Sequence, residues 1–178
     1  MPAVPVPFPD LPPADVATRI ALVDRALTLP FPDGDDHQGV RWSGPGHHLL
    51  TLHRTRDFWE PDGPDDRELA EEEIEEVRAA VTAAVTDRWG LPVDVDLFPY
   101  LGCDWDLQPP EHVPEPVAQL CNQAGSMRLW QPPGTDRWLG LAVGQADTEF
   151  PLELLAAIGG PDSLPQRRTA KDWPPREW

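Results

Sequence analysis

The sequence predicts an α+β fold: a mixed, mostly antiparallel sheet of about five strands with helices packed mainly on one face. Three observations lead there. Two segments, 16–27 and 70–85, repeat apolar residues at helical spacing. Several short segments with strand-like alternation are separated by Gly- and Pro-rich turns. The 24 prolines and 13 glycines make up about 21% of the chain, below the roughly 25–30% that marks low-complexity disorder.

Each element follows in order. Residues 1–13 alternate Pro with apolar side chains and are expected to form an extended, polyproline-like arm. Pro12 and Pro13 fit the first turn of a helix whose stripe, Val16, Ile20, Val23 and Leu27, ends before Pro30. Residues 30–39 read as an acidic, turn-rich loop. Val40 to Trp42 and His47 to Thr55 read as the strands of a hairpin across Ser43-Gly44-Pro45-Gly46. A second acidic loop covers 56–66.

The clearest helix runs from about Asp66 to Trp89. Its stripe is Ala70, Ile74, Val77, Val81, Ala84 and Val85, and Gly90 is placed to cap its end. Acids fill its first half and Arg78 and Arg88 its second, which suits the helix dipole. Pro92 to Tyr100 is expected as a strand with Val93, Val95 and Leu97 on one face and Asp94 and Asp96 on the other. A strand, a long helix and another strand predict a crossover and at least one parallel pair. After a loop at 101–113 come a short helix, Glu115 to Gln123, and a hairpin of Met127–Gln131 and Arg137–Gln145 turning at Pro133-Gly134. Phe150 to Ile158 reads as a last short helix stopped by Gly159-Gly160-Pro161. The organisation is one domain over 1–160, followed by an arm, 161–178, carrying Trp173 and Trp178.

Charge narrows the function classes. With 31 acidic and 14 basic side chains the net charge is −17, which opposes contact with nucleic-acid phosphates or anionic lipid. No apolar run approaches the roughly 20 residues of a membrane helix, and the first ten residues lack the basic and apolar regions of a signal peptide. Two cysteines, Cys103 and Cys121, make no disulfide framework and read as buried thiols, and the expected location is the cytoplasm. Nucleotide-loop, zincin, nucleophile-elbow and CxxC motifs are missing, so no cofactor is expected.

Four constellations remain. His47, His48 and His53 with Asp94, Asp96, Asp104 and Asp106 form the best metal or acid–base group, because His47 and His53 share one face of a strand and Asp94 and Asp96 share a face of theirs. If those strands are neighbours, His47, His53, Asp94 and Asp96 can converge on a divalent ion; otherwise they are solvated positions on an open sheet face. Gly140, Ala142 and Gly144 clear one face of a strand for close approach by a ligand or by a helix, such as that at 66–89. Trp42, Trp59, Trp105, Trp130 and Trp138 are core residues, interface anchors or a sugar-stacking face; the expected hairpin register sets Trp130 opposite Arg137 as a cation–π pair.

The acidic residues say most. Glu68, Glu72, Glu75 and Glu76 fall opposite the apolar stripe of the long helix, and loops at Asp33/Asp35/Asp36 and Asp57/Glu60/Asp62/Asp65/Asp66 add charge. They form either a solvated face or a docking surface for a basic protein, reached by fast, salt-sensitive association. The resulting expectation is a non-enzymatic, inhibitor- or immunity-like protein that masks a basic partner through Glu68, Glu72, Glu75, Glu76, Asp62 and Asp65. The alternative is a metal-assisted hydrolase or small-molecule binder built on the His/Asp group.

Overall fold

The computed structural model describes residues 4, 6–60, 63–101 and 113–165. Its elements are α1 (Val16–Thr28), β1 (Asp36–Gln38), β2 (Arg41–Gly44), β3 (His47–Arg54), α2 (Asp66–Trp89), β4 (Val93–Asp96), α3 (Val117–Leu120), β5 (Ser126–Trp130), β6 (Trp138–Gly144) and β7 (Glu153–Gly159). Among the described residues seven strands form one antiparallel sheet in the order β1-β2-β3-β7-β6-β5-β4. The class is α+β, but the sheet is larger than the sequence predicts and has no parallel pair among these residues. The connection from β3 through α2 to β4 does cross the sheet. It lands four places away, so β3 and β4 run in the same direction with three strands between them.

The segment read as a last helix is β7, the central strand. It is buried on both faces except at its first residue and pairs with β3 on one side and β6 on the other. A strand covered on both sides loses alternation and reads as an unbroken apolar run, Leu154 to Ile158, which periodicity cannot tell from a buried helix.

α1 begins later than the prolines suggest. Asp15 caps it, its Oδ1 accepting from Thr18 N at 2.8 Å, and Pro12 and Pro13 stand outside the helix. The buried face is centred on Leu22, Val23, Ala26 and Leu27, with Val16 and Ile20 only half-buried. α2 has the expected bounds. Gly90, at φ 88°, ends it with its N–H on Thr86 O at 2.8 Å, a backbone conformation that glycine adopts without a side-chain clash.

Two cores sandwich the sheet. On one side Leu50, Leu52, Leu139, Leu141, Leu154 and Ile158 pack with α1 and α2. On the other, Leu49, Met127, Leu129, Trp138, Ala142 and Leu155 pack with α3 and with Leu97. Helices therefore cover both faces: the two long ones on one, the short α3 on the other.

The Gly140 face turns towards α3 and away from α2. A Cβ at Gly140 would lie 2.6 Å from Met127 Sδ and 3.1 Å from Trp138, and one at Gly144 would lie 3.2 Å from Gln123 Cγ. These glycines make room for neighbouring side chains. Gly140→Val is expected to cost about 1–3 kcal/mol in a urea titration, because the flexible Met127 thioether can yield only in part. A variant as stable as the parent would show that this contact is slack.

The β5–β6 register also departs from expectation. Trp130 faces Leu139, two residues beyond the predicted partner Arg137. Arg137 instead leaves the hairpin to cap α1, donating from Nη1 to Ala26 O at 3.0 Å and Leu29 O at 2.7 Å. Its guanidinium lies 3.8 Å from the Phe31 ring centroid. The cation–π partner of Arg137 is thus Phe31, while Trp130 Nε1 donates to Gly90 O at 3.0 Å.

Candidate functional site

Convergence of His47, His53, Asp94 and Asp96 requires β3 and β4 to be neighbours. They occupy the third and seventh places in the sheet, about 19 Å apart at normal strand spacing. The two histidines do not share a face either. The β3–β7 register shifts between Thr51 and His53, and the extra residue of such a bulge inverts the alternation beyond it. His47 consequently lies on the α3 side, where Gln119 Nε2 approaches its Nε2 at 3.3 Å. His53 lies on the side of α1 and α2. Its Nδ1 accepts from Arg19 Nη2 at 3.1 Å, leaving Nε2–H to donate to Glu73 Oε1 at 2.6 Å. That chain ties α1, β3 and α2 together.

The aspartates serve locally. Asp96 Oδ1 accepts from Phe98 N at 3.0 Å, and Asp94 faces Arg128 across the β4–β5 ladder. Among the described residues no group of three or more His, Cys, Asp or Glu side chains is placed to hold a metal ion. Asp104, Asp106 and Cys103 lie outside the described residues. Cys121 is buried with its Sγ 3.3 Å from Ala118 O.

His48 is fully buried on the α1 side. Its Nε2 donates to Leu29 O at 3.0 Å, and its Nδ1 accepts from Ser43 Oγ at 2.6 Å. Arg41 continues the chain, donating to Ser43 Oγ and, at 2.6 Å, to Asp36 Oδ2. Burial holds the His48 imidazole neutral, lowering its pKa to about 4; Arg137 and Arg41 add repulsion, opposed by the Leu29 carbonyl. A serine bonded to an imidazole resembles a nucleophile and its base. Here both groups are enclosed, and the serine oxygen also accepts from Arg41, so the chain joins β2, β3 and the end of α1.

Two surface features were not legible in the sequence. One is a cleft of about 780 Å³ at the β2–β3 turn, whose lining includes Phe31, Asp35, His47, Glu115, Gln119 and Asp162. Gly44 makes room for the His47 ring at its edge, since a Cβ there would lie 2.6 Å from His47 Cε1. Of the predicted metal-site residues that the structure describes, only His47 lines this cleft. The other is an aromatic corner, where Trp59 and Phe150 meet edge to face with centroids 5.5 Å apart. No local sequence signal pairs these two loops.

The remaining tryptophans divide. Trp130 and Trp138 are buried. Trp42 is exposed and stacks on His37 at 3.7 Å, whereas Trp59 is exposed at its own corner. Trp105, Trp173 and Trp178 lie outside the described residues.

The acidic residues separate into two regions. Asp35 and Asp36 stand beside Gly44 and Ser43 at the start of β3, while Asp57, Glu60 and Asp65 follow its other end. Glu68, Glu72, Glu75 and Glu76 are all exposed, as are Glu71, Glu73 and Asp65. Two of these have side-chain partners: Glu73 accepts from His53 Nε2, and Glu75 pairs with Arg78 at 2.7 Å. Glu68, Glu71, Glu72 and Glu76 have no ion pair among the described residues. The stripe from Glu68 to Glu76 covers about 12 Å of helix. Asp62 lies outside the described residues.

The chain matches no protein-family model, no curated protein and no solved structure.

Proposed function

We propose that this is a non-enzymatic, inhibitor- or immunity-like protein of the cytoplasm that masks a basic protein partner. The observation that carries this reading is the exposed, largely uncompensated carboxylate stripe on the outer face of α2. Like charges at helical neighbour positions weaken a helix by a few tenths of a kcal/mol each, and solubility alone requires less charge than this chain carries. A concentrated anionic face raises the encounter rate with a cationic surface by about 10- to 1000-fold at low salt. No helix among the described residues is long and apolar enough to cross a membrane.

The test is to isolate the natural partner at low salt and measure association against ionic strength. The partner is expected to be basic. Replacing Glu68, Glu72, Glu75 and Glu76 by Gln is expected to slow association about 10- to 100-fold at low salt and to flatten its salt dependence. A neutral or acidic partner, or association indifferent to salt, overturns the reading. Among the described residues the His/Asp alternative has no converged ligand set: His53 and Asp94 lie on strands with three others between them, and the lining of the cleft at His47 includes neither.

A further inference from the structure

We infer that the Trp59–Phe150 corner is the anchor point of the partner surface and that its occupant is an arginine side chain on the basic partner, an inference that rests on the basic-partner reading above. Trp59 is 58% exposed and Phe150 44% exposed. Large aromatic surface left in water is informative when the structure holds it rigidly, because the ordering entropy of the anchor has been met before a partner arrives.

The corner is so held. The loops after β3 and before β7 are joined by Thr55 N to Leu152 O at 2.9 Å, Leu152 N to Thr55 Oγ1 at 3.0 Å and Phe58 N to Glu149 O at 2.9 Å. Arg67 strengthens the junction: its Nη2 donates to Thr148 O at 2.7 Å and its guanidinium lies 4.4 Å from the Phe58 ring centroid. Arg56 folds back on its own loop, donating to Asp57 O and Glu60 O at 3.2 Å and approaching Asp66 Oδ2 at 3.3 Å. Both nearby arginines thus hold the loops. The exposed carboxylates of Asp57, Glu60 and Glu149 are the chain neighbours of the aromatic pair and its frame. Leu69, 60% exposed in the first turn of α2, stands next to Glu68 of the stripe.

An exposed indole whose chain neighbours carry carboxylates discriminates between occupants. An apolar side chain would strip water from the carboxylates and return nothing to them. A second copy of this chain brings the same charge of −17. A guanidinium satisfies both parts of the corner, stacking its plane on the ring while its N–H groups meet carboxylate oxygens. Lysine offers a compact, strongly hydrated charge without a planar face, so the corner favours arginine over lysine.

The experiment titrates the full chain with fluorescently labelled octa-arginine and octa-lysine at low salt, reading anisotropy. Octa-arginine is expected to bind about tenfold more tightly than octa-lysine. Trp59→Ala should remove that preference by weakening arginine binding alone, and Trp59→Phe should retain part of it. The four-glutamate Gln variant should weaken both peptides while preserving their ratio. Equal binding of the two peptides, or a preference unchanged in Trp59→Ala, overturns the arginine anchor and leaves the charge-based function standing. Binding of neither peptide overturns both.

Discussion

Trp138→Ala is expected to lower the unfolding free energy by about 3–5 kcal/mol, a large share of the roughly 5–15 kcal/mol that holds an ordinary domain folded. Trp138 opens β6 and is 1% exposed. Its Nε1 donates to Ser163 Oγ at 3.1 Å, and its ring fills the space above two glycines. A Cβ on Gly159 would lie 2.5 and 2.6 Å from ring atoms of Trp138 and 2.5 Å from Ser163 Oγ. The ring is rigid and enclosed, so it cannot yield as a methionine tip does. Gly159→Ala is therefore also destabilising, by about 1–3 kcal/mol, and Trp138→Phe should recover part of that loss when combined with it. Urea titrations of the single and double variants check this. A loss under about 1 kcal/mol for Trp138→Ala would show that the site collapses around the missing ring.

The second large effect is on pH dependence. An unfolded chain protonates His48 near pH 6.5, whereas the folded protein keeps this enclosed ring neutral down to about pH 4. The folded-state pKa is depressed, so between those values the unfolded state binds the extra proton. Stability is complete above pH 6.5 and is lost as the pH falls towards 4, by roughly 3 kcal/mol in all. Asp15 and Asp36 titrate further into acid. Hydrogen bonds from Thr18 and Arg41 respectively hold them below the ordinary carboxylate range, and their contributions go only at lower pH. Stability measured between pH 6.5 and 5 is thus expected to slope downwards with acid, and His48→Gln is expected to flatten that slope even while lowering stability overall. The same slope in the variant would assign the proton to another group.

The features legible in the sequence are those encoded by near neighbours. The 3.6-residue stripe from Ala70 to Val85 and the glycine after Trp89 define α2, and the Pro-Gly pairs at 45–46 and 133–134 mark two hairpins. Exposure of the glutamates follows from the same stripe. What depends on distant residues was not legible. β7 has no polar face because strands flank it and cores cover it. The bulge that separates His47 from His53 depends on pairing with a strand a hundred residues away. The β5–β6 register comes with an Arg137 bonded to carbonyls at the end of α1, more than a hundred residues away. The Trp59–Phe150 corner joins loops whose proximity exists only once β3 and β7 have paired.

That pairing bears on how the protein is made. β1 to β3 and β4 to β6 are two three-stranded halves, and β7, the strand that joins them, leaves the ribosome after both. During synthesis each half presents an open apolar edge, facing the hazards of long-range strand pairing. The two halves can join into one sheet only after Glu153–Gly159 has emerged.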